Sequence, residues 1–183
     1  MFIDDKSRYP IGKFADQPFA DQVNYAEEVK VKLIRDIKYL PTLLENAVEN
    51  LDADQIHTAY RSGGWTIHQV VHHVADSHMN AYIRCKLALT EDNPVIKPYD
   101  EAAWAELTDT KNLPVNVSLT LLHALHARWL ELLLNVNETE WERTVFHPEQ
   151  KRTITLWRML GTYAWHGKHH VAHITSLRDR MAW

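Results

Sequence analysis

The sequence predicts an all-α fold, a four-helix bundle with an extended N-terminal arm, and three observations lead there. Glycine is scarce, 5 in 183 residues, whereas Leu, Ala, Glu and Lys are plentiful, a composition that suits long helices better than a turn-rich β fold. An apolar content of 45% is enough for one hydrophobic core, and no repeat, low-complexity tract or linker divides residues 1–183, which read as a single domain. Four segments carry apolar residues at helical spacing, with start and stop signals between them.

Residues 1–20, with Pro10 and Pro18, read as the extended arm. From 21 to 50 a helical stripe runs through Val29, Leu33, Ile37, Leu40, Leu44 and Val48, with Pro41 as a kink or break. Gly63 and Gly64 then mark a turn, and Thr66 followed by Gln69 has the spacing of a capping box. The second helix starts there and runs to about Leu89, where "TEDNP" stops it. A short helical segment at 102–107 precedes a third long helix, for which Ser118 is the expected cap. Leu121, Leu122, Leu125, Trp129, Leu132 and Leu133 form its inner side. "FHPEQKRTITL" reads as polar and turn-like, and Thr155 caps a last helix reaching about Arg180.

Charge and composition exclude several classes of function. A net charge of −4 and a pI near 6.3, with no basic stripe, exclude a nucleic-acid partner. The first residues, "MFIDDKSRYPIGKF", start acidic and lack the apolar region of a secretory signal. No run approaches the ~18 apolar residues of a membrane span, so the expected location is the cytoplasm. Cys85 is the sole cysteine; alone it makes neither an internal disulfide nor a cysteine zinc site. A metal here must be held mostly by nitrogen and oxygen, and 12 histidines supply the nitrogen.

Four of those histidines crowd into "WHGKHHVAHI" on the last helix. His166, His170 and His173 share a stripe with Met159, Tyr163 and Leu177, while His169 is rotated away. Two imidazoles at i and i+4 converge on one ion. The second helix offers a third ligand from His68, His72, His73 and His78. Its apolar arc is Ile67, Val71, Val74, Ala81, Cys85 and Leu89, and His68 and His72 point from it towards water. His78 lies inside the arc. His73 sits on its shoulder, in line with Val70, Ser77, Asn80 and Arg84, a polar row bordering the core as a cavity wall does. The pattern leans to His73 and leaves His78 open. An isolated core imidazole usually satisfies its nitrogens locally and binds nothing; an i, i+4 pair joined by a third on another inward face favours a metal.

The stretches "GGWTIHQVVHHVADSHMNAYIRCKLALTEDNPVIKPYDE", "LHARWLELL", "FHPE", "YAWHGKHHVAHI" and, near the start, "YPIGKF" together cover nearly the whole chain. In combination they resemble the DinB superfamily, and within it the YfiT-like group of candidate metal-dependent hydrolases and bacillithiol S-transferases. The resemblance implies a four-helix bundle with one divalent ion held by three histidines. Carried over by motif, these are His73, directly before "VAD", and the pair His166 and His170. His173 becomes a nearby supporting or core residue.

Three protein ligands leave coordination positions free, as in catalytic rather than structural sites. Imidazole suits Zn²⁺, Ni²⁺, Co²⁺ or Fe²⁺ alike, and it is the resemblance that implies Zn²⁺ or Ni²⁺. Two reactions fit. The ion can activate a low-molecular-weight thiol cosubstrate, bacillithiol by the resemblance, for transfer to an electrophile, or it can activate water against an amide or ester. Asp76, one turn from His73, is a candidate general base, a partner for a ligand imidazole, or a cap on a solvated face. Arg84 is a candidate for binding a carboxylate of the thiol, or forms a surface ion pair. Trp65 and Trp165 sit near the metal helices and can shape a pocket. A homodimer is expected from the commonness of twofold assemblies and from the family. A non-catalytic metal-binding stress protein is the alternative outside enzymes.

Overall fold

Four long helices carry the chain in a computed structural model that describes residues 5–17, 20 and 25–183. They are α2 (Glu27–Val48), α4 (Ile67–Thr90), α7 (Val115–Leu134) and α8 (Leu156–Met181). Short helices fill the connections: α1 (Asp5–Arg8), α3 (Ala53–Ile56), α5 (Glu101–Trp104) and α6 (Thr108–Asn112). Strands β1 (Thr144–His147) and β2 (Arg152–Thr155) pair antiparallel just before α8, with Val145 opposite Ile154. In the four-helix bundle α2 and α4 each pack against both α7 and α8. The order round the bundle is therefore α2, α7, α4, α8, and the first two long helices in the chain lie diagonally across from each other.

Local chemistry explains most boundaries. Thr66 Oγ1 accepts from the Gln69 amide while the Gln69 side chain accepts from the Thr66 amide, so α4 starts on a closed capping box. Thr155 caps α8 by accepting from the Arg158 amide. Helix C-termini are tied by arginines: Arg178 donates to the carbonyls of Ala47 and Glu49 at the end of α2, and Arg143 donates to those of Ala88 and Glu91 at the end of α4. Gly167 lets α8 approach α2 closely, because a Cβ there would lie 2.7 Å from both methyl groups of Leu40.

Several boundaries differ from the sequence expectation. The arm is not simply extended: it holds α1 and a 3₁₀ turn at Phe14–Asp16, and it is tied to α8 by Trp165 donating to Gly12 O and Arg158 donating to Ala20 O. Residues 1–4, Pro18 and the proposed helix start at 21–24 lie outside the described residues. Pro41 does not break α2; it lies buried inside the helix. α7 starts at Val115 after Pro114, not at Ser118, whose hydroxyl instead meets His72 Nδ1 at 2.7 Å. "FHPEQKRTITL" is largely the β1–β2 hairpin, whose strands of four residues are too short to show a period. Finally, His68 and His72 are buried, not solvated, because the carbonyl of Leu113 between α6 and α7 reaches over both rings. No helix among the described residues is long and apolar enough to cross a membrane.

Candidate metal centre

The core is two apolar clusters rather than one. Leu33, Ile37, Cys85, Trp129, Trp141 and Leu160 belong to the first, and Leu40, Leu44, Val71, Val74, Leu122 and Ile174 to the second. Every long helix passes from one cluster to the other, and α4, α7 and α8 each place histidines at the crossing. His73 and His78 come from α4, His126 from α7, His166 and His170 from α8. The bundle therefore has a waist of imidazoles between two greasy halves.

Within this waist three rings converge. His166 Nε2 lies 3.3 Å from His73 Nε2 and 3.2 Å from His170 Nε2. One ligand atom from each of the three lies within 4.8 Å of the others. Burial depresses all three basicities, that of His73 to about 4, and the neighbouring imidazoles push His166 and His170 further down. The rings are thus neutral at neutral pH. A ring nitrogen has one in-plane position, occupied either by a hydrogen or by a lone pair, so His166 Nε2 satisfies at most one of its two nitrogen neighbours by hydrogen bonding. A cation taking three lone pairs resolves that conflict, and neutral imidazole is the donor that Zn²⁺ and Ni²⁺ accept. The residues therefore fit one divalent ion.

A cavity of about 280 Å³ has His166, alone of the three rings, in its wall. The hairpin contributes Val145, His147, Arg152 and Ile154, α8 contributes Arg158, Met159 and Tyr163, and the segment after α4 contributes Ile96, Pro98 and Tyr99. Arg84 lines it too. Its guanidinium is held between Tyr163 Oη at 3.2 Å and Lys97 O at 3.3 Å, and so is not a surface ion pair. Asp76 lies apart. Its carboxyl does not line this cavity; burial and the neighbouring Asp109 carboxylate raise it to about 6, and none of its described hydrogen bonds runs to an imidazole. Trp65 packs against His73 with ring centroids 4.6 Å apart, and Trp165 stacks on His169 at 4.5 Å. His173 stacks on Tyr60 at 4.0 Å and faces Arg8 O with Nε2, tying the arm to α8.

The sequence pattern of the DinB superfamily matches residues 37–174, a span from mid-α2 to the end of the histidine cluster. The chain belongs to the DinB superfamily. A protein of Oceanobacillus iheyensis, named as a candidate metal-dependent hydrolase, is 54% identical over 176 residues, covering 96% of this chain and 98% of its own. A Bacillus mycoides protein named in the same way is 53% identical over 176 residues, with the same coverage. Among solved structures, YfiT from Bacillus subtilis is 47% identical and superposes with a TM-score of 0.91, over 97% of this chain and 99% of that one. YfiT is described as a probable metal-dependent hydrolase with an unusual four-helix bundle topology.

Against this DinB frame, sequence reasoning missed the cationic wall formed by Arg152 and Arg158 and the contribution of His126. Arg152 was hidden because the hairpin that carries it was read as a turn, and Arg158, in the first turn of α8, because only the folded hairpin places it in a cavity wall. His126 had a visible signal: it stands on the inner side of α7 between Leu122 and Trp129, an imidazole in an apolar stripe, as His78 does on α4.

Proposed function

We propose that the chain is a metal-dependent transferase that conjugates a carboxylate-bearing low-molecular-weight thiol, bacillithiol by family resemblance, to electrophilic carbon. The observation carrying this reading is the arginine-lined cavity that ends at His166. Arg84, Arg152 and Arg158 line it together, a cationic wall suited to an anionic small molecule. Arg84 spends two N–H groups on Tyr163 and Lys97 and keeps the rest for a carboxylate. Ile96, Val145 and Met159 make part of the apolar lining. His73, His166 and His170 are the residues that would hold the ion, which when bound lowers the pKa of a sulfur or water ligand. The neutral state that burial imposes on the three rings keeps their lone pairs available at neutral pH.

A second reading, hydrolysis of amides or esters, is supported by the names of the relatives and by Glu101 and Glu149, carboxylates in the same cavity wall that can take a proton from water. The two readings separate in one assay. Metal-loaded wild type and His170→Ala are given an electrophilic reporter with bacillithiol, glutathione, cysteine or no thiol. Conjugation above the uncatalysed rate that needs both His170 and one particular thiol supports the transferase. Absence of enzyme-dependent conjugation with every thiol overturns it and leaves hydrolysis, or metal binding without turnover, as the role.

A further inference from the structure

Behind His166, on the side away from His73 and His170, the waist continues as an unbroken row of imidazoles. His166 Nδ1 lies 3.3 Å from His78 Nε2, His78 Nδ1 lies 3.0 Å from His126 Nε2, and His126 Nδ1 lies 2.7 Å from the carbonyl oxygen of Ile37. The row crosses the bundle from α8 through α4 and α7 to α2. Its far end is set by Pro41. In an uninterrupted helix the Ile37 carbonyl accepts from the amide four residues on, but residue 41 is a proline and has no N–H. The carbonyl is left over inside the core, and His126 satisfies it.

A carbonyl only accepts, so His126 must carry its hydrogen on Nδ1. A neutral imidazole has one N–H, which leaves His126 Nε2 as an acceptor facing His78. His78 then donates from Nδ1 and presents a bare Nε2 to His166. His166 donates from Nδ1 in turn, which leaves its Nε2 lone pair directed at His73 and His170. We propose that the Ile37 carbonyl, relayed through His126 and His78, fixes the tautomer of His166 so that its Nε2 is the bare, ion-facing nitrogen, which makes His78 and His126 positioning residues for the metal centre. The inference rests on the three-histidine metal reading and not on which reaction the ion serves.

The surroundings support a fixed relay. His78 and His126 are nearly parallel, 18° apart with centroids at 5.1 Å. Trp129 packs edge-on against both, at 5.7 Å and 5.6 Å, and Tyr163 packs edge-on against His78 at 5.4 Å. The rings are buried in aromatic walls, with 0% of His78 and 3% of His126 exposed, so water does not substitute for a broken link. His170 has no such relay: its Nδ1 is buried without a hydrogen-bond partner among the described residues.

The test reads the tautomer directly. Long-range ¹H–¹⁵N correlation spectra of metal-free protein labelled in histidine distinguish Nδ1–H from Nε2–H rings, and the expected result is Nδ1–H at His126, His78 and His166. In His126→Leu the relay loses its anchor, His166 shifts towards the Nε2–H form, and Zn²⁺ affinity measured by competition with a chelating dye falls about 10- to 100-fold. His126→Gln, whose amide oxygen can accept from His78, retains affinity within a few-fold of wild type. His123→Leu, on the exposed face of the same helix, leaves both readouts unchanged. Wild-type His166 protonated on Nε2 overturns the proposal without any variant being needed. So does a folded His126→Leu with unaltered tautomer and affinity.

Discussion

Replacing Gly167 by alanine tests the claim that α8 approaches α2 closely beside the converging histidines. An added Cβ would lie 2.7 Å from Leu40 Cδ1 and Cδ2 and 3.1 Å from Cγ, well inside normal contact. The Leu40 side chain is 1% exposed and cannot swing out to make room. Overpacking of this kind costs about 1–3 kcal/mol, and the better helix propensity of alanine returns roughly 1 kcal/mol. The net expectation is a loss of up to about 2 kcal/mol, or up to roughly 8 °C in the melting temperature of a chain this size, followed by far-UV circular dichroism. The same strain displaces His166 and His170, which flank Gly167 on α8, so Zn²⁺ affinity falls with stability. A double-mutant cycle with Leu40→Ala localises the effect: the two substitutions together must cost less than the sum of their separate costs. A Gly167→Ala protein more stable than wild type, or a cycle with Leu40→Ala that shows simple additivity, refutes the reasoning.

Other expectations follow from burial and from the cavity. Cys85 is fully enclosed and its thiol is pushed up to about 12, chiefly by burial; the native protein should leave a disulfide reagent such as dithionitrobenzoate unreacted for as long as it stays folded, and prompt reaction counts against the packing described. His126 is held near 4 by burial, against 6.5 in the unfolded chain. The unfolded state therefore binds more protons as pH falls from about 6.5 towards 4, and stability must drop in that window. For His126 alone the loss between pH 7 and pH 5 is about 2 kcal/mol, measurable by urea unfolding of metal-free protein; equal stability at the two pH values contradicts it. Arg84→Lys keeps the charge but loses the fork held by Tyr163 and Lys97, so KM for an anionic thiol should rise by roughly tenfold or more with the melting curve little changed. An unchanged KM removes Arg84 from substrate recognition.

What the sequence made legible was chemistry that acts locally. Thr66 and Gln69 announce the start of α4 because a capping box closes within one turn. The pair His166 and His170 stands out because an i, i+4 spacing fixes a shared face whatever surrounds it. Choosing His73 over His78 needed the family resemblance, since both lie near the inner face of one helix. Their different positions depend on height within the bundle and on partners from other helices. His73 Nε2 meets His166 Nε2, whereas His78 Nε2 meets His166 Nδ1 on the far side of the ring. Features made by distant partners were the illegible ones. His68 and His72 look solvated on a helical wheel, but Leu113 from a later segment covers them. Pro41 reads as a break because sequence shows the missing N–H and hides His126, which takes over the freed carbonyl.

The most direct test of the account is metal stoichiometry across histidine variants. Wild-type protein is equilibrated with Zn²⁺ and separately with Ni²⁺, passed over a desalting column, and analysed by inductively coupled plasma mass spectrometry. One ion per chain is expected in wild type, in His123→Ala and in His147→Ala, whose ring lines the cavity without joining the three converging nitrogens. His73→Ala, His166→Ala and His170→Ala should each emerge without the ion while keeping the helical spectrum of the bundle. A wild type that retains neither metal, or folded variants of those three positions that still carry one ion per chain, would contradict the claim that His73, His166 and His170 form the metal centre.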